Sequence, residues 1–149
     1  MTDSELTQKV IGCAMRVHTA LGPGLLESAY KECLCFELRM AGLIAEKEKP
    51  MPLIYSAVKL DCGYRVDILV ENRLILEIKA VESINDVHLA QVLTYLKLAD
   101  LRLGLIMNFH ALHLRNGIRR VVNRYNDSAS SAETSAPSAV HSTPLESET

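Results

Sequence analysis

Three side chains in the middle of this chain, Asp67, Glu77 and Lys79, have the types and spacing to act on a phosphodiester. Two carboxylates held close together resist ionising at once unless a cation lies between them. A hard divalent ion, Mg²⁺ or Mn²⁺, prefers carboxylate oxygens and water. Bound there it would lower the pKa of a water molecule and offset charge building on a phosphate, and a lysine beside it would assist. The ordinary alternative is a solvated lattice of strand charges, Arg65 with Glu77 and Asp67 with Lys79, which would contribute little. Residue types alone leave both readings open.

The elements that must position these groups form a hairpin. Two β-rich runs, from Tyr64 to Val70 and from Leu74 to Ala80, flank Glu71-Asn72-Arg73. Alternate side chains of a strand share a face. A two-residue turn would set Asp67 across from Leu76 and mix the faces. A three-residue loop with Asn72 near the left-handed conformation pairs Val70 with Leu74, Ile68 with Leu76 and Val66 with Ile78, and keeps one face apolar. The other face then carries Asp67 opposite Glu77 and Arg65 opposite Lys79. Exposed like charges across a ladder cost about 0.2–1 kcal/mol, so this register needs a compensating cation.

Three further polar residues are candidates for the same cleft. Thr2 to Leu21 reads as an amphipathic helix, with a Thr2-x-x-Glu5 capping box and Leu6, Val10, Ala14, Val17 and Leu21 at helical spacing. His18 near its end reads as a surface residue. Gly22-Pro23-Gly24 stops it, and a second helix runs from Leu25 to about Met40, with Leu26, Ala29, Tyr30, Cys33 and Leu34 as its buried stripe. Glu27 borders that stripe. It either complements the helix dipole and pairs with Lys31, or points toward Asp67 and Glu77. A later helix, Asp86 to Ala99 with Ser83 or Asn85 as N-cap, packs Leu89, Val92, Leu93 and Leu96 inward. It sets His88, Gln91 and Tyr95 on another stripe. Gln91 and Tyr95, one turn apart, could reach a phosphate or a water, or simply form a polar helix margin.

The remaining segments supply the frame. Ile44 to Leu60 is strand-like, with Pro50 and Pro52 fitting an edge or a bulge. Asp61-Cys62-Gly63 turns into the hairpin. Leu103 to Phe109 is almost unbroken apolar sequence, a strand covered on both faces, and Ile118 to Asn123 is a strand or short helix.

At 149 residues the chain has the length of one domain, and 48% hydrophobic content with two Phe and no Trp implies an aliphatic core. No apolar run spans a membrane and no basic-then-apolar leader opens the chain, so a cytoplasmic protein without membrane attachment is expected. Cys13, Cys33, Cys35 and Cys62 include no CxxC pair and read as reduced core thiols. Charge divides unevenly. All 16 Lys and Arg precede Tyr125 against 14 acids there, a net of +2, and the remaining four acids make the tail −4. So mild a core excludes a protein that coats DNA non-specifically. Arg115, Arg119, Arg120 and Arg124 are either a local basic surface or a solvated face. Beyond Asn126 the composition turns to Ser, Ala, Thr, Pro and acids, which predicts a disordered tail over 126–149 and a folded domain over 1–125. No internal repeat and no Gly-rich phosphate loop is visible.

Taken in order, five motifs resemble a known family. They are Gly24-Leu25-Leu26-Glu27-Ser28-Ala29-Tyr30, Tyr64-Arg65-Val66-Asp67, Glu77-Ile78-Lys79, Gln91-Val92-Leu93-Thr94-Tyr95, and Gly104 to Phe109 with Gly117-Ile118-Arg119-Arg120. The set resembles the GxxExxY family of the PD-(D/E)XK nuclease superfamily over about residues 5–123. Glu-x-Lys by itself is a weak signal, whereas the ordered set is specific. Ser56-Ala57 stand after Tyr55 where the family has Gly, a departure in a turn away from the acids. The resemblance implies an α/β fold with a mixed sheet, a restriction-endonuclease-like αβββαβ core carrying an added N-terminal helix. It implies Asp67 and Glu77 as metal ligands with the Ile78 carbonyl, Glu27 as an additional acid, Lys79 as the catalytic lysine, and Gln91 and Tyr95 as positioning residues. The activity implied is hydrolysis of nucleic acid, DNA above all, with Mg²⁺ or Mn²⁺. A catalytically silent module that binds nucleic acid or a protein partner is the second reading.

Overall fold

The computed structural model of the chain describes residues 1–61, 63–124 and 143–144. Helix α1 (Asp3–Leu21) begins at the expected capping box, where Thr2 Oγ1 accepts the Glu5 N–H at 3.1 Å and Glu5 Oε2 accepts the Thr2 N–H at 3.3 Å. It ends at Gly22, whose φ of +68° suits glycine. Helix α2 (Glu27–Met40) lacks a side-chain N-cap at Leu26. The Tyr30 hydroxyl holds the turn instead, donating to the Gly22 carbonyl at 2.5 Å and accepting the Leu25 N–H at 3.0 Å.

The expected stripe on α2 is corrected. Tyr30, Leu34, Cys35 and Leu38 are buried, while Leu26 and Cys33 are exposed. Leu26 lies outside the helix in extended conformation (φ −74°, ψ 151°), so the helix starts later and its inner face turns toward Cys35 and Leu38. His18 is corrected too: half-buried, it hydrogen-bonds the Ala111 carbonyl through Nε2 at 2.8 Å and packs beside Phe109.

The remaining strands are β1 (Ala45–Pro50), β2 (Leu53–Tyr55), β3 (Val58–Leu60), β4 (Arg65–Val70), β5 (Leu74–Lys79), β6 (Leu103–Asn108), β7 (Ile118–Val122) and the two-residue β8 (Thr143–Pro144). One sheet has the order β1-β4-β5-β6-β7-β8, and β2 pairs with β3 as a separate ribbon inserted between β1 and β4. Pro50 ends the edge strand β1, where a missing donor does least harm. Helix α3 (Asp86–Ala99, N-cap Asn85) carries the chain from β5 to β6, and these two strands are parallel. The other pairings in the sheet are antiparallel. A short 3₁₀ turn (Leu114–Gly117) leads into β7, so the last apolar segment is a strand.

Both faces of the sheet are covered. Ile68, Val70, Leu74, Leu76 and Leu105 pack under α1 and α2, and Leu69, Ile75 and Ile106 pack with Val92, Leu93 and Leu96 of α3. A Cβ on Gly104 would sit 2.8 Å from Val92 Cγ1, so glycine is what lets α3 approach β6. The expected architecture holds: α2, β1, β4, β5, α3 and β6 form the αβββαβ core of a mixed α+β sheet fold, with α1 in front. Among the described residues no helix is long and apolar enough to cross a membrane. Cys13 and Cys35 are buried free thiols and Cys33 an exposed one; Cys62 lies outside the described residues, as does the 126–149 tail apart from β8.

Candidate active site

The β4–β5 hairpin has the three-residue loop that the pattern demands. Glu71 and Asn72 both take positive φ, +52° and +53°, and the register pairs Val70 with Leu74, Leu69 with Ile75 and Ile68 with Leu76. Past that point the ladder gives way to side chains, and the expected opposition of Val66 with Ile78 and of Asp67 with Glu77 is corrected. Ile78 donates its N–H to Asp67 Oδ2 at 2.7 Å, and Asp67 donates its N–H to Glu77 Oε1 at 3.2 Å. Each acid takes a backbone donor from the neighbouring strand. The two are tied together by these bonds rather than by a continuous ladder.

Burial sets their electrostatics. Glu77 is buried and Asp67 half-buried. Burial, with the Asp67 charge adding to it, pushes the Glu77 carboxyl up to about 8. Burial also raises Asp67, against the opposing pull of the Ile78 N–H, Lys31 and Lys79. A pair in this state disfavours two bare negative charges and favours a cation between them. The solvated lattice does not form: Arg65 Nη1 reaches the Glu48 carbonyl at 3.5 Å, and among the described residues neither Arg65–Glu77 nor Asp67–Lys79 is an ion pair.

Lys79 closes β5 half-buried, with its carbonyl accepting the Phe109 N–H at 2.9 Å, and its charge acts on both acids. Glu27 opens α2 on the exposed side. Its Oε2 accepts the Ala80 N–H at 3.2 Å, which brings the start of α2 to the end of β5 within electrostatic reach of both acids. Among the described residues no three acidic, histidine or cysteine side chains gather into a metal cage. The carboxylates that could hold an ion there are buried Glu77 and half-buried Asp67. That set fits a hard divalent ion that keeps several waters and binds through one or two carboxylates.

Helix α3 supplies the next layer. Tyr95 is buried, and burial followed by the nearby Glu77 charge raises its hydroxyl. Gln91, exposed one turn earlier, donates from Nε2 to Tyr95 Oη at 3.1 Å. His88 caps the helix, its Nδ1 accepting the Asn85 N–H at 3.2 Å; burial and then Lys79 lower its pKa.

Lys31 is the neighbour that sequence reasoning assigned to Glu27 alone. It forms an ion pair with Glu48 and lies 4.0 Å from Asp67 Oδ1. Burial pulls its ammonium down, but the Glu48 hydrogen bond and the Asp67 charge outweigh this and leave it raised. Glu48 lies between the Lys47–Ile68 and Lys49–Val66 pairs, in register across from Asp67, and its positive φ of +56° marks a local kink in β1. The spacing of Glu27 and Lys31, one turn apart, was the signal available for Lys31; Glu48 had none.

A family model describing the PD-(D/E)XK nuclease superfamily matches residues 4–121. The chain belongs to the PD-(D/E)XK nuclease superfamily. No curated protein and no solved structure matches it at a significant level. The match covers every residue of the candidate site, from Glu27 to Phe109, and nucleases of this superfamily typically use divalent metals.

Proposed function

We propose that this chain is a divalent-metal-dependent nuclease of the GxxExxY kind that hydrolyses phosphodiester bonds of DNA. The observation that carries the reading is the Asp67–Glu77 pair, two carboxylates tied through each other's strands and held in a site that disfavours their charge. In this reading Asp67, Glu77 and the Ile78 carbonyl hold Mg²⁺ or Mn²⁺, with Glu27 reaching the same site from α2. An ion held there would supply activation of a water and offset of charge on the phosphate. Lys79 places a positive charge beside the attacked phosphate and orients the water. Tyr95 and Gln91, joined by their hydrogen bond, position a phosphate oxygen from the α3 side. Residues 1–125 form the catalytic domain, and the cytoplasm is its place of action.

The test is direct. Purified full-length protein with Mg²⁺ or Mn²⁺ should cut DNA, and Asp67→Ala should abolish the cutting. Failure to cleave single- or double-stranded DNA or RNA, with Asp67→Ala indistinguishable, would end this reading.

One observation favours a second reading, a catalytically silent module that binds nucleic acid or a protein. Glu27 is engaged by the Ala80 N–H rather than by the acid pair. Calorimetry decides between them: no heat with Mg²⁺ or Mn²⁺, and DNA binding unchanged in Asp67→Ala, would select the silent module.

A further inference from the structure

Among the described residues, strands β2 and β3 pair only with each other, Leu53 with Leu60, Ile54 with Lys59 and Tyr55 with Val58. Residues directly opposite share a face, so Tyr55, Val58 and Leu60 lie together on one side and Ile54 with Lys59 on the other. All five are exposed: Tyr55 is 76% exposed and Ile54 58%, and Tyr64 at the foot of the ribbon is 47% exposed. A two-stranded ribbon with neither face covered is marginal in water. Apolar side chains gathered on a surface in this way mark a place where something else binds.

The ribbon leaves the sheet beside the acid pair. Pro50 pairs with Arg65 at the last step of β1 against β4, and the Met51 N–H donates to the Tyr64 carbonyl at 2.7 Å just beyond it. Asp67 follows Tyr64 by three residues, which sets the two about 10 Å apart along the strand. Tyr64 also lies within electrostatic reach of Tyr95, which is itself within reach of Glu77. A polynucleotide with one phosphate at Asp67 and Glu77 extends a few nucleotides in each direction, and the foot of the ribbon lies within that span.

The chemistry of the ribbon selects the partner. Duplex DNA turns its phosphates outward and is held mainly by lysine and arginine. Here Lys59 is offset by nearby Asp61 and Lys49 is paired with Glu46, which leaves Arg65 at the foot. Two tyrosines and three aliphatic side chains suit base faces instead, and only an unpaired strand exposes those. We propose that the β2–β3 ribbon is a binding arm for single-stranded DNA, with Tyr55 and Tyr64 stacking on bases of the strand that crosses the acid pair. This rests on the nuclease reading and names the form of its substrate.

Fluorescence anisotropy of a labelled single-stranded oligonucleotide with full-length protein, in chelator so that no strand is cut, reads the arm separately from cleavage. The single strand should bind about tenfold or more tightly than its duplex. Tyr55→Ala and Tyr64→Ala should each weaken single-strand binding roughly tenfold, whereas Tyr55→Phe and Tyr64→Phe keep the ring and should bind like wild type. Both side chains are exposed, so the alanine variants should keep the wild-type Tm. Duplex bound as tightly as the single strand, or binding unchanged in both Tyr55→Ala and Tyr64→Ala, overturns the proposal. So does a concentration-dependent dimer that Tyr55→Ala dissociates, since a second copy then covers the ribbon. The nuclease reading fails by a different result: no cutting with Mg²⁺ or Mn²⁺ while the anisotropy changes stand keeps the arm and removes the chemistry.

Discussion

Asp67 gives its backbone N–H to Glu77 Oε1 at 3.2 Å, at the point where the β4–β5 ladder stops. That bond holds the Glu77 carboxylate inside the sheet, where burial and its neighbour keep it protonated up to about 8.

Stability should therefore fall with rising pH in the absence of divalent metal. The native state keeps a Glu77 proton that the unfolded chain releases near the ordinary value of 4.5. The folded form is favoured below that value and loses this advantage as pH climbs toward about 8, by at most about 1.4 kcal/mol per pH unit from this one group. Above about 8 the loss levels off. Urea denaturation in chelator across this window should show the slope in wild type and a flatter one in Glu77→Gln. Equal slopes would mean that Glu77 is not the titrating group.

Metal and lysines should separate by the size of their effects. Lys79→Met and Asp67→Asn are each expected to lower DNA cleavage about 10²–10³-fold with the fold intact by circular dichroism. Lys31→Met removes a cation 4.0 Å from Asp67 Oδ1 and leaves Glu48 without its ion pair, so the site becomes more negative and about tenfold tighter Mn²⁺ binding is expected by calorimetry. Wild-type cleavage in Lys79→Met would remove that lysine from the machinery.

Tyr30→Phe keeps the ring stacked on Phe109 at 4.6 Å but deletes the hydroxyl that clasps Gly22 and Leu25. A loss of about 1–3 kcal/mol is expected from the unsatisfied turn, read by chemical denaturation. Because this turn delivers Glu27 to the end of β5, metal affinity should fall as well. Stability equal to wild type would show that the Gly22-Pro23-Gly24 turn holds its shape unaided.

Gly104→Ala should cost about 1–3 kcal/mol, since its Cβ meets Val92 Cγ1 at 2.8 Å and the Ile75 carbonyl at 3.4 Å. Val92→Ala in the same chain removes the tighter contact and should recover part of that loss beyond additivity. Strict additivity in the double-mutant cycle would place α3 farther from β6 than it stands here.

Much of this molecule was legible before any coordinates. The capping box opens α1, α3 runs over the expected Asp86–Ala99, and the three-residue hairpin loop follows because a one-residue slip would exchange the faces of β4 and β5. These features rest on short-range sterics and periodicity, which a sequence states directly. Alternation singled out Asp67, Glu77 and Lys79 as well, but the ladder stops at Ile68–Leu76, and the two acids meet through side-chain bonds to the facing strand.

What only the tertiary structure decided depends on strands distant in sequence. The left-handed backbone of Glu48 and its ion pair with Lys31 depend on β1 lying against β4 with α2 beside it, a constraint invisible within Ala45–Pro50. The inner face of α2 was set by where the Gly22–Leu26 turn releases the chain, which moved it from Leu26 and Cys33 to Cys35 and Leu38. Local chemistry chooses which residues can act. Long-range packing, by deciding which of them lose water together, sets what charge each can carry.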